Sequence, residues 1–173
     1  AEVIRELKHL GIHKVVMMTG DSDRIAANIA QKAGVDAYYS EVLPEDKASY
    51  VEKEHQAGRK VIMIGDGVND SPALSAADVG IAICDGAEMA REIADITIAG
   101  DNLEELVTLK RLSNALVKRI HGNYRQIVGF NTGLILCGIG GVMQPATSAL
   151  LHNTSTLLIA MESMKPLLHE ENQ

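Results

Sequence analysis

The chain has 173 residues, enough for about one domain with a substantial core, and it carries a net charge of -7. This acidic balance excludes a nucleic-acid partner, because the phosphate backbone demands a basic patch or stripe. Two distant cysteines, Cys84 and Cys137, fit neither a disulfide framework nor a metal-binding spacing, and they indicate a reducing compartment.

The first hundred residues alternate short apolar runs with amphipathic stretches, which predicts an α/β fold with a parallel, doubly wound sheet. The predicted strands are Lys14–Thr19, Asp36–Ser40, Lys60–Gly65, Val79–Ile83 and Ile96–Ala99. The predicted helices between them are Glu2–Leu10, Ser22–Lys32, Pro44–Gln56, Ser71–Ala76 and Glu88–Ala94. We expect residues 1–101 to form one domain.

After residue 101 the composition of the chain changes. Residues 102–125 predict one long polar helix with a basic cluster, and the 36 residues from 126 to 161 contain no Asp, Glu, Lys or Arg. Within 126–165 we predict two membrane helices, Ile127–Met143 and Thr147–Met164, in contact with membrane lipid. The positive-inside bias places residues 1–125 and the tail 166–173 in the cytoplasm. The alternative is a buried helical hairpin of a soluble protein.

Three polar groups follow predicted strands or begin helices, where open parallel sheets bind ligands. Thr19-Gly20-Asp21 offers a hydroxyl and backbone N–H groups to a phosphoryl oxygen at the start of a helix. Lys47, in the first turn of another helix, could neutralise charge on a transferring phosphoryl group. Each signal alone also fits an ordinary solvated helix start.

The third group is the most specific. It is the loop from Gly65 to Leu74, which follows an apolar strand and contains two carboxylates, Asp66 and Asp70, four residues apart. Such a hard oxygen site on a tight glycine turn suits Mg²⁺. Gly65, Gly67 and Asn69 would surround the phosphate, with Asn69 donating a hydrogen bond. A surface turn is the alternative, since Asp, Asn and Gly favour turns for local reasons.

In these motifs, and in the run from Ser75 to Ala82, the chain closely resembles the haloacid-dehalogenase superfamily and, within it, the P-type ATPases. The resemblance implies a haloacid-dehalogenase-like fold, Mg²⁺ at Asp66 and Asp70, and phosphoryl stabilisation by Thr19, Lys47 and Asn69. It implies that Asp21 positions water or a neighbouring domain. The implied reaction is ATP-driven formation and hydrolysis of an aspartyl phosphate coupled to ion transport.

One departure limits what the chain can do alone. The Asp-Lys-Thr-Gly stretch that carries the nucleophile in the family is absent from this sequence. We therefore interpret the chain as the C-terminal part of a larger pump, with the remainder of the pump as its partner and most of the ATP site elsewhere. The alternatives are a soluble phosphatase of the superfamily and a membrane-anchored regulatory module without catalytic activity.

Two predicted spans follow the phosphorylation domain, and this order resembles the heavy-metal (type IB) class of P-type ATPases. The resemblance implies that the protein lies in the plasma membrane. Polar residues inside membranes are costly and so usually functional. We predict a site for the transported metal at His152 with Asn131, Asn153 and Ser155, while Cys137 and Glu162 are weaker candidates. An imidazole suits Zn²⁺, Co²⁺, Ni²⁺ or Cu²⁺, and the metal stays open among Zn, Cd, Co, Ni, Mn and Cu.

Overall fold

The computed structural model describes residues 1–65, 69–84, 93–99 and 103–168. The chain divides into two compact units, Ala1–Val107 and Thr108–Gln173. The first is an α/β unit and the second is helical, so each is described by itself.

The α/β unit confirms the predicted alternation of strands and helices. Its elements are α1 (Glu2–His9), β1 (Val16–Met18), α2 (Asp23–Ala33), β2 (Ala37–Tyr39), α3 (Pro44–Gln56), β3 (Ile62–Gly65), α4 (Ser71–Ala76), β4 (Val79–Cys84) and β5 (Ile96–Ala99). The predicted helix Glu88–Ala94 falls mainly outside the described residues. Proline at the first position of α3 and the second of α4 suits helix starts, where its missing N–H costs no intrahelical bond.

The five described strands all pair in parallel, as predicted, and they form two sheets. β1 pairs with β2 in the register Val16↔Ala37, and β3, β4 and β5 form a second sheet in which Ile62↔Val79 and Ile81↔Ile96 are partners. Within the described residues, β1 and β3 are each paired along one edge only. The predicted parallel pairing is confirmed, and the sheet is divided because no described strand joins β1 to β3.

The core of the α/β unit consists of small and aliphatic side chains. Its buried members are Ala26, Ala30, Val51, Ala73, Leu74, Ile81, Ala82, Ile98, Leu106 and Val107. α4 lies very close to β4, since a Cβ at Gly80 would sit 2.8 Å from the carbonyl oxygen of Leu74. Only glycine permits this approach, which fixes α4 and the loop before it against the sheet.

The helical unit contains most of α5 (Glu104–Ile139) together with α6 (Pro145–Ser163). The sequence predicted a break between a polar helix and an apolar one near residue 125, whereas α5 runs through that point for 36 residues. No proline interrupts it, and the change from polar to apolar side chains does not alter the backbone hydrogen bonds that sustain a helix.

Polar contacts join the two helices of this unit. The Arg119 guanidinium donates to the carbonyl oxygens of Ser163 (3.1 Å), Lys165 and Pro166 (2.9 Å), at the end of α6. The Asn123 side-chain amide donates to the Ser163 hydroxyl at 2.6 Å. Arg119 thereby satisfies carbonyls that a helix C-terminus leaves unpaired, and its charge complements the helix dipole.

The predicted membrane spans are not confirmed. No helix in the described residues combines the length and the apolar character needed to cross a membrane. α5 ends at Ile139, which leaves its apolar part shorter than the predicted span Ile127–Met143. α6 carries His152 and Asn153 near its middle, and these polar side chains lower its mean hydropathy.

Candidate functional site

Lys47 and Asp70 form an ion pair at the end of β3. The Lys47 ammonium donates to Asp70 Oδ1 at 2.6 Å, and the two side chains are only 15% and 10% exposed. α3 supplies Lys47 from its first turn, and Asp70 is the residue directly before α4. Asp70 is the buried charged residue of the described core. The sequence predicted both residues for one site, with Lys47 stabilising the phosphoryl group and Asp70 binding Mg²⁺.

Gly65 allows Asp70 to lie against the end of β3. A Cβ at Gly65 would stand 2.7 Å from the Asp70 Cβ and closer still to one of its carboxylate oxygens. Any other residue would place its Cβ against the Asp70 side chain and displace it, so this position requires glycine. Asn69 is exposed in the turn beside it, while Asp66 and Gly67 lie outside the described residues.

The Thr19 loop is ordered by its own hydrogen bonds. The Thr19 hydroxyl donates to Asp21 Oδ2 at 2.9 Å and accepts the Asp21 backbone N–H at 3.1 Å. The Thr19 carbonyl accepts the N–H of Val42 at 3.0 Å, and the Asp21 carbonyl accepts that of Glu41 at the same distance. The loop, Gly20 included, is thus attached to the segment that leads into α3.

Among the described residues, the side chains of this loop form no hydrogen bond with the Lys47–Asp70 pair. The structure therefore joins Lys47 to Asp70 directly, and links the Thr19 loop to Lys47 through residues 41–43 and the start of α3. That start is held by Asp46, whose carboxylate accepts the Leu43 N–H at 3.3 Å.

A second charged cluster lies at the opposite end of α3, and the sequence analysis missed it. Asp78, just before β4, accepts from Lys60 Nζ at 2.7 Å and from the Val61 N–H at 2.8 Å, and its Oδ2 lies 2.8 Å from His55 Nε2. The Lys60 ammonium, the Val61 N–H and His55 hold the pKa of Asp78 well below its usual range. Separately in sequence, these residues resemble ordinary surface charges.

Another ion pair joins Glu54 of α3 to Arg59, which follows the helix. Arg59 donates to the Glu54 carboxylate, which also lies 3.6 Å from Lys14 Nζ. The bond from Arg59, assisted by Tyr50, lowers the pKa of Glu54 to about 2. Lys14 also donates to the Tyr50 hydroxyl at 3.0 Å. These contacts attach α3 to the chain before β1.

In the helical unit, two of the four predicted transported-metal residues meet. His152 Nδ1 lies 2.8 Å from Asn131 Oδ1, across α6 and α5. The Ser155 hydroxyl donates to the His152 carbonyl within its own helix, and Asn153 is exposed. No cluster of three His, Cys, Asp or Glu side chains able to hold a metal occurs in the part of the chain that the structure describes.

The two weaker candidates have other surroundings. Cys137 is a free, half-buried thiol. Glu162 pairs with Lys165 at 2.6 Å, one turn away at the end of α6. An exposed pair of this kind does not point to a metal ligand.

Comparison with known proteins gives these features a context. The haloacid dehalogenase-like hydrolase family matches residues 1–78. The zinc-exporting P-type ATPase of Mycobacterium marinum is 39% identical over 95% of this chain and 23% of its own length. The copper-exporting P-type ATPase of Staphylococcus epidermidis is 38% identical over 95% of the chain and 20% of its own length.

Solved structures of heavy-metal ATPases are also similar to this chain. A zinc-transporting PIB-type ATPase in the E2.Pi state superposes with a TM-score of 0.88 at 34% identity, covering 98% of this chain and 27% of that one. The catalytic domain of the CPx-ATPase CopB-B gives a TM-score of 0.59 at 34% identity, over 63% of this chain and 43% of its own. This chain spans about a quarter of the full-length relatives that it matches. By sequence and by fold, the chain is similar over nearly its whole length to one part of the heavy-metal P-type ATPases.

Proposed function

We propose that the whole protein of which this chain is a part transports a transition-metal cation across a membrane, driven by ATP through an aspartyl-phosphate intermediate. The observation that carries the proposal is the buried Lys47–Asp70 pair at the end of β3, in a chain similar to metal-exporting pumps over 95% of its length. The nucleophile would come from an Asp-Lys-Thr-Gly stretch outside this sequence.

Lys47 would stabilise the phosphoryl group as a cation. Its ammonium has three N–H donors, and Asp70 accepts one of them at 2.6 Å. Among the described side chains Lys47 bonds Asp70, and its other donors would bond phosphoryl oxygens, so one side chain could hold Asp70 in place and neutralise developing charge. Because the pair is largely shielded from water, this electrostatic interaction is stronger than at an exposed site.

The hydrogen bond between Thr19 and Asp21 would change when a phosphoryl group binds. The single proton of the Thr19 hydroxyl now goes to the Asp21 carboxylate. A phosphoryl oxygen would compete for that proton, and Asp21 would then be free to orient water. Asn69, exposed beside Asp70, would add a side-chain amide donor.

The residues at the end of β3 fit Mg²⁺ by their donor chemistry. Asp70 presents carboxylate oxygens with little water access beside a turn where glycine lets the backbone come close. We propose Asp66 and Asp70 as its ligands, with Asp66 assigned from the sequence alone. When bound, Mg²⁺ would neutralise phosphate charge; the protein residues would orient the group and exclude water.

For the transported ion we propose His152 as a ligand. Asn131 Oδ1 can only accept, so at 2.8 Å the His152 Nδ1 is the donor, and the Nε2 lone pair of the neutral imidazole is left for a cation. Metal-binding histidines commonly donate their second nitrogen in this way, which orients the ring. Asn153 and Ser155 remain weaker proposals, since the Ser155 hydroxyl bonds its own helix.

We also propose that α6 and the part of α5 after residue 125 lie in the cell membrane within the whole protein. The support is the 36-residue stretch without charged side chains, together with the similarity to a zinc-transporting ATPase over 98% of the chain. Because His152 and Asn131 bond each other, the hairpin hides part of its polar surface. Further helices of the pump would have to cover the rest.

The test is ATP hydrolysis by the whole protein, reconstituted in lipid, against Cu⁺, Zn²⁺, Cd²⁺, Co²⁺, Ni²⁺, Mn²⁺ and Ca²⁺. We expect stimulation by one or two transition metals, abolished by Asp66→Ala and retained by Glu52→Ala, an exposed carboxylate on α3. ATP hydrolysis that no metal stimulates, or that only Ca²⁺ stimulates, would contradict the proposal. Hydrolysis of small phosphate esters without metal stimulation would favour a phosphatase.

A further inference from the structure

Polar contacts join both ends of α3 to the residues that flank α4. Lys47, Val51 and His55 are four residues apart along α3, so they lie on one face of the helix. At the start of that face Lys47 contacts Asp70, which precedes α4, and at the end His55 contacts Asp78, which follows α4. Val51, between them, is 1% exposed. One face of α3 is thus fastened to α4 along its length.

The contact at the far end is anchored to the sheet. The Asp78 carboxylate is held by Lys60 Nζ and the Val61 N–H, and the Asp78 backbone N–H donates to the Val61 carbonyl at 3.0 Å. Asp78 is therefore fixed to the start of β3 as well as to β4. His55 is the one contact of this set that comes from α3.

We propose that His55 is a positioning residue for Lys47, acting from the opposite end of α3 by holding the helix on Asp78. The inference rests on the proposed function for its catalytic readout. Lys47 and His55 are eight residues apart, about 12 Å along a helix at 1.5 Å per residue. If α3 opens as one cooperative unit, release of its last turn also loosens its first turn on Asp70. Small displacements of a group that stabilises charge reduce reaction rates.

The Leu variant of His55 removes the polar contact while retaining an apolar side chain. Its matched control is Gln56→Leu, one position along on an exposed residue. Both are made in the whole protein and measured by the rate of phosphoenzyme formation and by KM for ATP. We expect His55→Leu to lower the rate about three- to tenfold with KM unchanged, Gln56→Leu to have no effect, and His55→Gln, which retains a donor, to recover most of the loss.

A second background separates positioning from general destabilisation. In Lys47→Ala, the residue on which His55 acts has lost its ammonium, so His55→Leu should add a loss of less than about 1.5-fold. An equal loss in both backgrounds would overturn the proposal, because His55 would then act independently of Lys47. A loss in Gln56→Leu as large as in His55→Leu would also overturn it.

A third readout does not depend on activity. Amide hydrogen exchange at residues 47–50, in the first half of α3, is compared between the original chain and the two Leu variants. We expect about a threefold or larger increase for His55→Leu and none for Gln56→Leu. An increase confined to the last turn of α3 would overturn the inference even if metal-stimulated hydrolysis is present. Absence of hydrolysis with the exchange change intact would instead count against the proposed function alone.

Discussion

Replacement of Lys47 by Met should destabilise the α/β unit strongly, because it leaves the Asp70 carboxylate without its cation. The two groups are 2.6 Å apart and only 15% and 10% exposed. Stranding a buried charge costs about 3 kcal/mol. Asp70→Asn retains the side-chain shape and removes the charge, so it should cost less, about 1.5–2 kcal/mol, roughly the value of a hydrogen bond between charged groups.

The double variant Lys47→Met/Asp70→Asn tests whether the pair is energetically coupled. With both charges absent no charge is stranded, so its cost should fall to about 1.5–2 kcal/mol, well below the sum of the single costs, which gives a coupling energy of about 3 kcal/mol. Lys53→Met is the control, since Lys53 is exposed on the same helix. It should change stability by less than about 0.5 kcal/mol.

The assay is urea unfolding followed by tyrosine fluorescence, since three of the four tyrosines, Tyr38, Tyr39 and Tyr50, belong to the α/β unit. Circular dichroism would follow both units together and would mix their transitions. Costs of the single variants that add to within about 0.5 kcal/mol would refute the reasoning. So would a cost for Lys47→Met as small as that of Lys53→Met.

Three further predictions follow from the contacts described above. Gly65→Ala should cost about 1–3 kcal/mol by urea unfolding, because its Cβ would collide with Asp70, and it should weaken Mg²⁺-dependent phosphorylation; an unchanged unfolding midpoint would contradict the contact. The pKa of Glu54 is lowered to about 2, so its stabilising contribution is complete above the unfolded value near 4.5 and is lost as pH falls toward 2. Glu54→Gln should therefore weaken the pH dependence of stability in that window and leave it unchanged above about pH 5, which acid titration of both proteins checks. His152→Ala should lower metal-stimulated ATP hydrolysis at least about tenfold while phosphorylation by inorganic phosphate persists, and full metal activation would demote His152 to a packing role with Asn131.

The sequence predicted the strand ends well, and the reason is local. Gly65 and Asp70 occur within a few residues of an apolar strand, and Pro44 and Pro72 mark helix starts, so short-range rules suffice. Lys47 was assigned through its order along the chain and through resemblance. Its direct contact with Asp70, 23 residues away, became evident only from the packing of α3 on α4.

Other features could not be predicted because their meaning depends on distant partners. His55 and Asp78 are also 23 residues apart, and each alone matches a solvated surface residue. The division into two sheets depends on which strand lies beside β1 and β3, and a single chain's hydrophobic pattern does not specify pairing order. The continuation of α5 through residue 125 was missed because the change in side-chain polarity was taken as a helix boundary.

The Arg119 contacts determine where a shortened version of the helical unit should end. α6 itself stops at Ser163, but two of the three carbonyls that Arg119 binds belong to Lys165 and Pro166, beyond the helix. A peptide cut at the helix boundary would keep every helical residue and still lose most of this bond network, so its chain end would fray. A hairpin designed for spectroscopy should therefore extend at least through Pro166.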